Sequence, residues 1–404
     1  MSTFHIIDGN IATPKGFKAT GIYSGIKKVE KHDLGLILSE VPAEAAGVYT
    51  TNLFQAAPLV VTKESIEKQG KLQAIIVNSG NANACTGDRG IEDARAMQRG
   101  VAEAFAVSPE FVGVASTGVI GEFLPMDKVS SGMKQLPPVL SEESGPLFSQ
   151  AILTTDLVEK TLCVELELDG QKVTIAGTAK GSGMIHPNMA TMLGFIVTDA
   201  KVEQAYLQEA LRKATDETFN MITVDGDTST NDMVVVMANG MAGNSALNSE
   251  HVQADDFYQA LAYVMKELAK KIARDGEGAT KLLEVEVKGS PSEEIARQVA
   301  KTVISSNLVK TAIYGADANW GRILCAVGYS GAAIQPQLVD VFLGEIQVVK
   351  ASFPVPFSEE EARDYLLQEN VKVVIDLHDG EAAATAWGCD LTYDYIKINA
   401  SYRS

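Results

Sequence analysis

Residues 181–200 read GSGMIHPNMATMLGFIVTDA and place one hydroxyl, that of Thr191, between a glycine-bearing segment and an apolar run at 192–197. Two chemistries compete for it. A β-branched residue opening a buried strand needs no further role. A nucleophile needs a base, and threonine can obtain one without histidine: the preceding peptide bond is cut and the freed α-amine accepts the proton. An α-amine has a pKa of about 7.7–8.0, so it is partly neutral near pH 7. Gly181, Gly183 and Gly194 permit close backbone approach, Pro187 restricts the chain, and Ala190 leaves the carbonyl before Thr191 unshielded. On the residues alone a structural threonine is the plainer reading, and the nucleophile stays open.

Other chemistries find little local support. The five histidines (His5, His32, His186, His251, His378) stand in no HExxH or HxE pattern, and no GxSxG occurs. RDGEGATK at 274–281 resembles a phosphate loop at a glance, but it lacks the GxxxxGK[ST] spacing and follows a helical pattern rather than a strand. The glycine pair Gly181 and Gly183 is equally weak as a nucleotide signal. Cys85, Cys163, Cys325 and Cys389 form no CxxC pair, which argues against structural zinc and a disulfide scaffold and fits a reducing compartment. No metal site is expected.

The elements that must position Thr191 read as mixed α/β. Buried strands are expected at Ala74 to Val77, at VGVASTGVIG with a turn at Thr117–Gly118, and at Val173 to Ala176 entering a flexible loop. The loop between Gly177 and Asn188 is the best candidate boundary between halves. Helical spacing runs from Ile91 to Phe105, from Gln204 to Met221 and from Asp255 to Arg274, where Phe257, Leu261, Val264, Leu268 and Ile272 share a face. Ser290 with Glu293, Pro291 between them, and Ser358 with Glu361 are candidate capping boxes. Further strands are expected at LLEVEVKG, EIQVVKASF, VKVVIDL and the final ATAWGCDLTYDYIKIN. The intermixing lacks strict βαβ spacing, so a layered mixed α/β fold is predicted.

The 404 residues, 46% hydrophobic and 21% charged, can bury a sizeable core. A net charge of −18 provides no basic footprint for nucleic acid. No apolar run is long enough to span a bilayer, and MSTFHIIDGNIATPKGF has neither the basic n-region nor the h-region of a secretory signal. The expectation is a cytoplasmic enzyme.

Several long motifs change the odds on Thr191. KGSGMIHPNMATMLGFIVTDA resembles the self-processing segment of the ornithine acetyltransferase, or ArgJ, family. The resemblance continues through NSGNANACTG (78–87), STGVIGEFLPM (116–126), TVDGDTSTND (223–232), ARDGEGATK (273–281), NWGR (319–322) and the terminal DYIKINASYRS, so it covers the whole chain. Ala318 stands before NWGR where many relatives have proline, a loop change that leaves the chemistry untouched.

The resemblance implies self-cleavage at Ala190–Thr191, giving an α chain of residues 1–190 and a β chain of 191–404, with a smaller C-terminal subdomain from about 282. Thr191 would then carry the acetyl group between N-acetylornithine and glutamate. An ester intermediate divides one difficult amide exchange into two easier steps. The Thr117–Gly118 pair is implied to hold the oxyanion, although an ordinary turn would also use those residues. Substrate contacts are implied at Thr154, Lys180, Thr191, Glu277, Asn399 and Ser404. Lys180 suits a carboxylate and Glu277 an ammonium. Thr154 rests on the family alone, since Thr155 would serve equally, and Ser404 by itself would be a frayed terminus. The Asn- and Asp-rich loops at 78–88 and 225–232 are expected to shape the cleft.

Also implied are an α2β2 heterotetramer and no cofactor. Bifunctional members also take acetyl-CoA as a substrate. The motifs do not separate the two types, and the bifunctional one is expected as the common bacterial case. The competing readings are a threonine-nucleophile amidase or aminopeptidase of similar fold, which would give the acyl group to water, and an uncut, non-enzymatic binding protein.

Overall fold

The computed structural model describes residues 3–186 and 192–400, which fall into two compact units. The first comprises Met1–Gly181, Pro187–Asp216 and Thr228–Leu268; the second comprises Ser182–His186, Glu217–Asp227 and Ala269–Ser404. Among the described residues, no helix is long and apolar enough to cross a membrane.

Among the described residues of the first unit, nine strands form one sheet. Its order runs Phe4–Ile7, Lys160–Leu168, Gln171–Lys180, Leu193–Thr198, Met233–Ala238, Leu34–Tyr49, Lys71–Asn81, Val112–Val119, with Phe17–Ile22 also paired to Leu34–Tyr49. The pairs Leu193–Thr198 with Met233–Ala238 and Lys71–Asn81 with Val112–Val119 are parallel, the others antiparallel. Both faces are covered, which explains the unbroken apolar run at 74–77. Ala74 and Ile76 pack with Ala94, Met97 and Val101 of helix Gly87–Phe105. Their neighbours Ile75 and Val77 join Phe148, Phe195, Val197 and Val235 on the opposite face.

Among the described residues of the second unit, seven strands form a sheet in the order Phe353–Pro354, Ile346–Lys350, Asp340–Leu343, Asn370–Asp376, Leu282–Ser290, Ala382–Cys389, Ile222–Thr223. Helix Glu293–Ser305 buries Ala296, Val299, Ala300, Val303 and Ile304. The strand-and-helix content matches the mixed α/β expectation.

Several local expectations are corrected. The strand predicted over 173–176 extends from Gln171 to Lys180, because partners on both sides hold its glycine-bearing end in the sheet. The turn predicted at Thr117–Gly118 is still strand, paired to Ser79–Asn81 through a bulge. The helix predicted to reach Met221 ends at Glu217, followed by a short 3-10 turn at Phe219–Met221. The cap assigned to Ser290 belongs to Ser292, whose extended backbone lets its hydroxyl accept from Ile295 N at 3.2 Å. The terminal strand stops at Cys389, and Tyr393–Ala400 is a helix. Thr392 starts it, accepting from Tyr395 N at 3.3 Å while donating to Gly278 O at 2.7 Å. The Ser358 cap is as predicted, with Glu361 N donating to its hydroxyl at 3.2 Å.

Candidate functional site

Thr191, Ala190 and Ser404 lie outside the described residues, so the site is built from the groups around them in the chain. On one side Lys180 closes its strand in register with Leu193. The described chain resumes at Met192, whose carbonyl accepts from Met233 N at 2.9 Å.

In the first unit the charged residues gather on Asp156. Its side chain is fully buried. Oδ1 accepts from Lys160 Nζ at 2.8 Å and from Gly181 N at 2.6 Å. Oδ2 accepts from Thr154 N at 3.0 Å and lies 3.8 Å from Lys180 Nζ. Burial alone would push the Asp156 carboxyl up; Lys180, Lys160 and the hydrogen bonds outweigh it and hold the group well below the usual carboxylate range. Lys27 belongs to the same neighbourhood. Its Nζ donates to the carbonyls of His32 at 2.7 Å and Leu153 at 2.8 Å. Burial pushes it down to about 8, with Asp33 and Asp156 resisting and Lys31 and Lys180 adding to the shift. Positive charge therefore exceeds negative around Asp156, and Lys180, at 3.8 Å, is its most loosely paired lysine. That arrangement can accept an organic carboxylate.

Thr117 and Gly118 sit where the parallel pairing slips at Asn81. Gly118 has φ 136° and Gly80 opposite it φ 99°, both in the region that favours glycine. A Cβ on Gly118 would lie 2.3 Å from the Gly80 carbonyl carbon, so the bulge admits no side chain. Buried asparagines brace it. Asn78 Nδ2 donates to Asn81 O at 2.8 Å, and Ser116 Oγ donates to Asn78 Oδ1 at 2.6 Å. Asn231 Nδ2 reaches Ala82 O at 2.6 Å and Ser116 O at 2.8 Å. The Asn-rich loops thus satisfy buried backbone polarity around the bulge.

In the second unit Glu277 is buried and accepts from Asn399 Nδ2 at 2.8 Å, so these two predicted residues are brought together. Gly183 lies against the carboxylate: a Cβ there would come within 2.4 Å of it. The 182–186 segment is pinned at several points. Ser182 O accepts from Glu277 N at 2.9 Å, and Ser182 Oγ donates to Asp275 O at 2.7 Å. Asp225 accepts from Met184 N at 2.6 Å, from Ile185 N at 2.9 Å and from Tyr395 Oη at 3.3 Å. His186 Nδ1 is 3.1 Å from Thr223 Oγ1. Burial, with Lys301 and Lys310 adding and Asp225 opposing, pushes His186 down to about 4, so its ring is neutral at pH 7. The segment predicted as a flexible loop is, as far as His186, tightly held.

Sequence reasoning missed Lys27, Asp156 and Lys160, of which only the Asp156–Lys160 spacing of four carried a local signal, common in any charged stretch; Asp225 and Tyr395 stand in motifs the sequence analysis quotes, but neither is singled out there.

The mixed α/β scaffold thus buries one cation-rich cluster in its first unit and, in its second, sets the carboxylates of Glu277 and Asp225 against Asn399 and Tyr395. The chain belongs to the ArgJ, or ornithine acetyltransferase, family, whose model matches residues 18–404, and it is an acetyltransferase enzyme of that family. It is 57% identical over 399 residues to the arginine biosynthesis bifunctional protein ArgJ of Geobacillus kaustophilus, covering 99% of this chain and 97% of that protein. The ArgJ protein of Halalkalibacterium halodurans is 57% identical over 397 residues, covering 98% and 96% respectively. A crystal structure of ArgJ from Bacillus halodurans, 57% identical, aligns with a TM-score of 0.50 over 50% of this chain and 96% of the crystallised one.

Proposed function

We propose that this chain cleaves itself at Ala190–Thr191 and transfers acetyl from N2-acetyl-L-ornithine to L-glutamate through an acetyl ester on Thr191. The observation that carries the reading is the Asp156 cluster: Lys180, in register with Leu193 just beyond the predicted cleavage point, is the loosely paired cation of a buried, cation-rich group. The ArgJ crystal structure, whose nearly complete chain matches only half of this one, supports division into two chains.

In this reading the Thr191 hydroxyl attacks the acetyl carbonyl and its proton passes to the freed α-amine. The oxyanion is held by the Thr117 hydroxyl and the Gly118 N–H, donors worth roughly 3–4 kcal/mol each when preorganised. The amide C–N bond breaks, the amine takes the proton, and ornithine leaves. The glutamate amine then attacks the ester and restores the hydroxyl. Lys180 takes the substrate carboxylate. Glu277, oriented by Asn399, takes the ornithine side-chain ammonium. Thr154 and Ser404 complete the substrate contacts. Acetyl-CoA as an alternative donor to glutamate, a cytoplasmic location and an α2β2 assembly belong to the same reading, which uses no resident cofactor.

Intact mass of the wild type beside Thr191→Ala tests the cleavage. Two chains, residues 1–190 and 191–404, are expected in the wild type and one in the variant. An active but uncut wild type would overturn the free-amine mechanism. Turnover of N-acetylornithine that is independent of glutamate would replace transfer by hydrolysis.

A further inference from the structure

Lys27 has been given no role by the reaction above, yet the first unit builds a place for it. The loop from Ile22 to Leu34 closes around Asp33, which is fully buried. Asp33 Oδ1 accepts from Ser24 N and Ser24 Oγ, both at 2.7 Å, and Oδ2 accepts from Lys27 N at 3.0 Å. The main chain of Lys27 is therefore fixed before its side chain is considered. The stem then crosses Gly80, where a Cβ would meet Lys27 Cγ at 3.1 Å. Gly80 is the partner of Gly118 in the bulge. Beyond it the ammonium donates to Leu153 O at 2.8 Å, next to Thr154, whose N–H is bonded to Asp156. One side chain thus touches the bulge and the turn that leads to the Asp156 cluster.

We infer that Lys27 is a positioning residue of the acyl-transfer site, tying the Gly80–Gly118 bulge to the Leu153–Thr154 turn and adding its charge to that of Lys180. The inference rests on the acetyl-transfer reading. A lysine held mainly by two carbonyls loses hydration without a carboxylate in direct contact, a costly way to close a loop. The cost is intelligible where the charge has a use, and a substrate carboxylate beside Lys180 supplies one. The charged groups acting on Lys27 are Asp33, Lys31, Asp156 and Lys180. With burial dominant, the ammonium is charged at pH 7 and loses its proton as pH passes about 8. A lost positive charge weakens carboxylate binding, so the effect falls on KM.

The test uses the full chain as wild type, Lys27→Met and Lys27→Arg, each checked for folding by thermal melting. KM and kcat for N-acetylornithine are measured from pH 6.5 to 9.5 with glutamate saturating. That donor keeps its carboxylate ionised over the range, and its α-nitrogen, being acetylated, does not titrate. The wild-type KM is expected to rise above pH 8. Lys27→Arg, which holds its charge, is expected to lack that rise. Lys27→Met is expected to show a KM 10- to 100-fold higher already at pH 7 and no alkaline limb. A Lys27→Met enzyme within threefold of wild type, or a Lys27→Arg profile superimposing on the wild type's, would overturn the inference. Should Lys27→Met fail to fold, the wild-type and Lys27→Arg profiles decide alone, and a wild-type KM flat to pH 9.5 overturns it. An inactive but folded wild type would sink the acetyl-transfer reading beneath; an active wild type with an indifferent Lys27→Met sinks only this step.

Discussion

Both units bury lysines, and they use them differently. In the first, Lys160 and Lys180 converge on one carboxylate, Asp156, and Lys27, although bonded to the His32 and Leu153 carbonyls, is close enough to feel both Asp156 and Lys180. In the second, buried lysines close off main-chain carbonyls. Lys301 donates to Asn220 O at 2.6 Å and Ile222 O at 2.7 Å, Lys281 to Ile313 O at 2.6 Å, and Lys310 to Val224 O. A carbonyl dipole compensates a buried cation less well than a full negative charge, and both Lys301 and Lys281 have their pKa lowered by burial. Of the lysines around Asp156, Lys180, at 3.8 Å, is paired loosely enough for a ligand to use. Lys301 and Lys310 hold in place the Asn220–Val224 stretch leading into the Asp225 turn.

The largest expected effect breaks the first cluster. Asp156→Ala removes the carboxylate that both Lys160, fully buried, and Lys180 face. Breaking a buried ion pair by removing one partner costs about 3–5 kcal/mol. Urea or guanidinium unfolding is expected to show a loss of that size, with transfer activity lost as well. A loss below about 1 kcal/mol would mean that the lysines repack onto solvent or carbonyls, and the contrast between the units would disappear.

A smaller effect is expected where the second unit uses a carboxylate rather than a lysine. Glu277→Gln retains an acceptor for Asn399 but removes the charge proposed to meet the ornithine ammonium. A charged hydrogen bond contributes about 1.5–3 kcal/mol, so KM for N-acetylornithine should rise by roughly 10- to 100-fold. Stability should hardly change, because the isosteric amide fills the same space against Gly183. An unchanged KM beside a lower melting temperature would reassign Glu277 to a purely structural pairing with Asn399.

How much of this was legible beforehand depended on the range of the interactions. The helices at 91–105 and 255–274 declared themselves through apolar spacing, and the Ser358 cap through its local box. Lys180, Glu277 and Asn399 could be singled out because they stand in long family motifs, and the structure does bring Glu277 and Asn399 together. Lys27 and Asp156 could not be found this way, since their partners are set by the folded sheet: Lys27 meets a carbonyl 126 residues away and Asp156 an amide 25 residues away. The misplaced elements fail for the same reason. Gly177 and Gly181 suggested a loop, but pairing on both edges keeps the strand intact to Lys180. Alternation at 392–397 suggested a strand, but the cap at Thr392 starts a helix.

The smallest effect sharpens the comparison through pH. Burial pushes Lys301 down to about 7, against about 10.5 for an exposed lysine. Between those values the unfolded chain binds a proton that the folded one does not, so this residue's contribution to stability rises with pH from about 7 and is lost as pH falls back through the window. Lys301→Met abolishes that dependence and leaves the Asn220 and Ile222 carbonyls without their ammonium, a cost that does not vary with pH. The wild type should therefore gain on the variant between pH 7 and pH 9, by at most about 1.4 kcal/mol per pH unit for one proton. Lys27 has the same sign of shift but is present in both proteins, so the difference between them isolates Lys301. Parallel curves of unfolding free energy against pH would show that Lys301 stays charged when folded. The second unit would then hold a carbonyl-bonded cation as firmly as the first holds one on Asp156, and the distinction between the two clusters would lie in access to ligand rather than in charge.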